Sequence, residues 1–114
     1  LKAATMSFKI AIGNIVQVPL KFTLRDGSVD KLFAFSLTAM RRTPEEIDAD
    51  TEKTLKDFLL DNITDWCGQT LVLQDNNEPA PFSREAFDFM LKQPGMVGCV
   101  WRSYQHECGS KEKN

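Results

Sequence analysis

Four side chains carry the softest chemistry in this sequence: Cys67, Cys99, Cys108 and the single histidine, His106. His106 with Cys99 or Cys108 would pair a base with a nucleophile, but that chemistry also needs an orienting group and an oxyanion site, and no motif marks either. The ordinary alternative is a solvated histidine near a helix end. Cys99, His106 and Cys108 could instead supply three metal ligands. Their spacing matches no closed zinc pattern, and Cys67, far away in the chain, would have to be the fourth. Asp61 and Asp65 would share a face if both lay on one helix, as paired acids do, yet carboxylates opposite an apolar stripe usually form a wetted surface. The six glycines are scattered and form neither a Walker nor a dinucleotide-binding spacing. A small cytosolic enzyme or metal-binding regulator using His106 with Cys99 and Cys108 is therefore the alternative to a non-catalytic protein without a cofactor.

Composition narrows the field further. A chain of 114 residues with 42% hydrophobic content holds one domain with one core. Fourteen basic and sixteen acidic residues, interspersed, leave a net charge of −2, so no field gathers nucleic acid or anionic lipid. An odd number of cysteines at unrelated spacings reads as reduced thiols in the cytoplasm rather than a secreted disulfide framework. Neither a membrane-spanning run nor a signal peptide is evident. The first residue is leucine, so residues 1–5 are expected to be a cloning remnant with Met6 as the natural start, residues 6–109 the domain, and residues 110–114 a disordered tail.

The elements that must position any site begin with residues 16–39. Val16, Val18, Leu20, Phe22 and Leu24 alternate with polar residues and Pro19, as in a strand with one buried face. An Asp26-Gly27 turn predicts a hairpin with Arg25 opposite Ser28, Leu20 opposite Phe33 and Val18 opposite Phe35, and with a disturbed ladder at Pro19. Phe8, Ile10 and Ile12 suggest a further short strand over residues 6–12.

Helix signals follow. Thr43-Pro44-Glu45-Glu46 forms a capping box, and Asp50 could cap a second start. Leu55, Phe58, Leu59, Ile63 and Trp66 make a helical stripe that predicts a helix up to Gly68. Ser83 caps the next helix, with Phe82 and Phe87 placed as a hydrophobic staple. Gln93-Pro94-Gly95 breaks it before a last helix that ends at Gly109. Strands precede helices, so the expected fold is α+β: an N-terminal antiparallel β-hairpin or three-stranded sheet followed by about three α-helices.

Four short segments also resemble one known family. Thr23-Leu24-Arg25-Asp26-Gly27, Asp61-Asn62-Ile63-Thr64-Asp65-Trp66, Pro81-Phe82-Ser83-Arg84-Glu85-Ala86 and Gln93-Pro94-Gly95-Met96-Val97 are similar, in order and spacing, to the tail assembly chaperones of long-tailed bacteriophages and prophages. The resemblance implies a non-enzymatic protein of the bacterial host cytoplasm. Its partners would be the tape measure protein and the tail tube protein, and it would be absent from the mature virion. A homo-oligomer along the long partner is a natural corollary.

The last two helices are unusually rich in large apolar residues, more than one stripe on each requires. Part of this set could therefore face a partner, and Phe87, Met90, Trp101 and Tyr104 are the expected partner-binding residues. If the whole set instead covers the sheet, their role is structural.

Overall fold

A computed structural model describes residues 7–49 and 54–109. The expectations for residues 1–5, for a cap at Asp50 and for the tail 110–114 lie outside the described residues. The fold is α+β, and the described residues form a three-stranded antiparallel sheet and four helices.

Strands β1 (Ile15–Asp26) and β2 (Val29–Met40) form the hairpin. The closing pair is Asp26 with Val29, so the turn is Gly27-Ser28 rather than Asp26-Gly27, and Leu20 meets Phe35 instead of Phe33. The cause is the backbone. Gly27 has φ +63°, whereas neither Asp26 nor Ser28 has a positive φ. A turn with one left-handed residue, a glycine in first place, is the II′ arrangement, and it moves every partner by two. Because the slip is two and not one, the buried face survives. The expected register would have set Phe22 opposite Lys31; Phe22 instead faces Phe33 with ring centroids 5.8 Å apart and meets Phe35 edge-on at 5.9 Å. Such ring pairs add about 0.5–1.5 kcal/mol beyond their buried area.

The ladder runs through Pro19 opposite Ser36 without a register shift, contrary to the expected disturbance. Counting from the closing pair, alternate residues exchange hydrogen bonds across the hairpin, and Pro19 falls on a non-bonded position. Its missing N–H therefore points to the outer edge of β1, where a proline is harmless and discourages unwanted pairing.

The third strand is not residues 6–12, whose described part is irregular and exposes Phe8, Ile10 and Ile12. It is β3 (Ile63–Cys67), paired antiparallel with β2. The stripe expected to continue as a helix to Gly68 thus divides into α2 (Leu55–Asn62) and this strand. Its period of three misleads because Thr64 is an extra residue: Thr38 pairs with Asp65 but Ala39 with Ile63. That bulge lets Ile63 and Trp66, three apart, both face the core from an extended chain. Asn62 fixes the transition. Its side-chain amide donates to the Phe58 carbonyl at 2.8 Å and its oxygen accepts from Arg42 Nε at 2.5 Å.

The capping signals at Thr43 and Ser83 act as expected, and α2 takes an unanticipated cap at Thr54. In α1 (Pro44–Ala49), the Thr43 N–H donates to Glu46 Oε1 at 3.1 Å and the Glu46 N–H to Thr43 Oγ1 at 3.2 Å. Thr54 caps α2 through the Asp57 N–H, and Ser83 caps α3 (Arg84–Leu91) through the Ala86 N–H. Phe82 and Phe87 complete the staple, with centroids 5.9 Å apart. Helix α4 (Met96–Cys108) follows Gly95 and ends at Gly109.

The core lies between the helices and one face of the sheet. Val18, Leu20, Leu37 and Ala39 meet Phe58, Leu59, Phe87, Met90, Val100 and Tyr104 there. Tyr104 ties α4 to the sheet by donating its hydroxyl to the Met40 carbonyl at 2.8 Å. Among the described residues no helix is long and apolar enough to cross a membrane.

Candidate functional site

Helix α4 separates the soft ligands. At about 100° per residue, Cys99 and His106 share a face two turns apart and Cys108 lies on the opposite side. Cys108 sits beside Tyr104 and Arg41, whose Nη1 donates to the Cys108 carbonyl at 3.1 Å. Cys67 is exposed on β3. Burial raises the Cys99 thiol pKa, against the pull of Arg102, and likewise that of Cys108, against its hydrogen bond with Tyr104. A raised thiol pKa disfavours the nucleophilic thiolate. No three His, Cys, Asp or Glu side chains converge in a metal-binding group among the described residues. Asp61 and Asp65 do not share a helix face, because the helix stops at Asn62: Asp61 pairs with Arg84 at 2.9 Å, while Asp65 accepts from the Trp66 N–H.

The expected partner-binding residues are mostly interior. Phe87 and Met90 are fully buried and Tyr104 nearly so, which corrects their reading as surface anchors. Trp101 is half-buried, edge-on to Phe58 at 5.6 Å and stacked on Tyr104 at 5.9 Å. The apolar surplus of the helical half is thus largely spent on covering the sheet. Phe89 is the exception. It lies two residues beyond Phe87, on the other side of α3, and is 57% exposed.

Phe89 lines an open groove of about 800 Å³ between α3 and the 72–80 loop. Val72, Leu73, Ala80, Ala86 and Phe89 supply its apolar surface, and Asp75 and Glu85 stand on the loop and helix walls respectively. Leu73 is 47% exposed. A smaller hollow of about 260 Å³ adjoins it through Val72 and Phe89 and reaches Leu24, Leu71 and Met90. Neither Asp75 nor Glu85 has an ion-pair partner among the described residues. By contrast, Asp88, on the next turn of α3, is held by Lys56 at 2.7 Å, which keeps its carboxyl below the ordinary aspartate pKa.

A buried glutamine holds the loop wall in place. Gln69 Nε2 donates to the carbonyls of Val72 and Ala80 at 2.9 and 3.1 Å, and its Oε1 accepts from the N–H groups of Leu71 and Val72 at 3.1 and 2.8 Å. The Trp66 indole also donates to the Ala80 carbonyl at 3.1 Å. Farther out, a bridge between Leu73 and Pro79 and the Gln74 N–H bond to the Glu78 carbonyl at 2.8 Å close the turn. Sequence reasoning missed this wall, since a polar loop without period carries no sign of what it packs against. Phe89 was legible as an apolar residue off the Phe87–Met90–Leu91 stripe.

Comparison of the chain with protein-family models, curated proteins and solved structures finds no match.

Proposed function

We propose that this protein binds another protein without catalysis, as a phage tail assembly chaperone. In this reading it keeps the tape measure protein soluble in the host cytoplasm, brings tail tube protein to it, and is absent from the mature virion. The observation that carries the binding function is the groove: Phe89 and Leu73 leave apolar surface open on its two walls while the other large apolar side chains of α3, Phe87, Met90 and Leu91, are buried. Exposed aromatic surface beside a concavity is characteristic of contact sites. The chaperone assignment draws on the four family-like segments, which occupy the joints of the fold: the hairpin turn, the α2–β3 junction, the α3 cap and the α3–α4 break. A long partner engages many weak copies, so self-association along it fits the same role.

The test is co-expression with the tape measure protein of the same phage or prophage. Wild type should co-purify with that partner, and Phe89→Asp should lose it while melting at an unchanged temperature. A normally folded Phe89→Asp protein that still captures the tape measure protein would move the contact surface elsewhere.

A further inference from the structure

The groove carries charge as well as apolar area, and the two together specify an occupant. Asp75 stands on the loop wall and Glu85 on the helix wall, both exposed and neither engaged in an ion pair among the described residues. The groove's apolar surface comes from Leu73, Ala86 and Phe89 with Val72 and Ala80, and Gln74, Asn76 and Ser83 also line it. Neither wall is a strand edge: on α3 the Ala86 and Phe87 N–H groups bond to Ser83, and the loop spends the Gln74 and Ala80 N–H groups on its own carbonyls. An extended peptide would therefore find little to satisfy its backbone there, whereas a helix satisfies its own. We propose that this groove seats one amphipathic helix of a partner protein, whose apolar ridge packs on Phe89 and is flanked on both sides by lysine or arginine. The proposal rests on the binding function above and deepens it by naming the chemistry of the bound segment.

Two synthetic helical peptides of about 18 residues, long enough to hold a helix, provide the probe. They share one leucine ridge and differ only in lysine or glutamate flanks, and binding to the full chain is read by fluorescence anisotropy. The lysine-flanked peptide should bind at least about tenfold more tightly at low salt, with the gap closing toward about 1 M salt as the charges are screened. Phe89→Asp, or Phe89→Ala should the first variant fold poorly, should abolish or greatly weaken binding. Asp75→Asn with Glu85→Gln should bring the two peptides to within about threefold of each other. Equal binding of both peptides, binding of neither, or indifference to the Phe89 and Asp75/Glu85 changes would each overturn the proposal. The chaperone reading fails separately: lysine-peptide binding without tape measure capture would sink that reading and leave the groove, and the reverse result would sink the groove alone.

Discussion

Phe87 and Phe89 are two residues apart on one short helix, yet the first is wholly enclosed and the second is 57% exposed. The inner face of α3 meets Trp66 edge to face at 6.5 Å and Phe82 with tilted rings at 5.9 Å, and contributes Phe87, Met90 and Leu91 to the core. The outer face presents Phe89 to a groove walled by a polar loop. Side-chain size therefore does not separate stability from recognition here. What separates them is the rotation of roughly 100° per residue, which sends alternate positions of a helix to nearly opposite sides.

The sharpest way to break this contrast is to truncate the inner ring. Phe87→Ala should cost about 3 to 5 kcal/mol in urea unfolding, the usual cost of emptying a packed aromatic site. A loss below about 1 kcal/mol would mean the inner face is not the packed side. Gln69→Ala should come next, at about 1 to 3 kcal/mol, because it strands the buried backbone groups of the groove wall. Hydrogen exchange at Val72 and Ala80 should rise in that variant. Unchanged exchange would show that the wall stands without its glutamine.

A smaller effect appears in acid. Hydrogen bonds from Thr43, backbone first, hold the Glu46 carboxyl below the ordinary glutamate value of 4.5, with Arg42 adding to the shift. A lowered folded-state pKa means that its stabilisation is present above 4.5 and lost as pH falls through the folded value. The melting-temperature difference between wild type and Glu46→Gln should accordingly shrink below pH 4.5; a difference constant with pH would contradict this. The smallest expected change in stability is that of Phe89→Ala, within about 0.5 kcal/mol. If it destabilised the fold as much as Phe87→Ala, the two faces of α3 would not differ as described.

Much of the fold was legible because its causes are local. Period two along residues 16–39 assigns the buried face of the hairpin, and parity protects that assignment from a slip of two. Thr43 with Glu46, Ser83 with Ala86, and Gly95 and Gly109 at the ends of α4 act within a few residues, so their roles can be read directly. The hairpin register was not legible, since Asp-Gly and Gly-Ser are both acceptable turns and they are distinguished by the backbone of Asp26, which lacks the positive φ that an Asp-Gly turn of type I′ requires.

The long-range features belong to tertiary structure. Ile63–Cys67 becomes a strand because the edge of β2 offers it a ladder and a bulge at Thr64 absorbs its helical spacing. Which large apolar residues remain outside depends on the sheet and on a loop held by Gln69, partners that no local pattern names. The sequence by itself determined where α1, α3 and α4 start, which face of the hairpin is apolar and how much apolar surface must be covered. Only the packed chain decided that Phe87, Met90 and Tyr104 are covered and Phe89 is not, because burial depends on contacts between segments whose separation along the chain conceals that they meet.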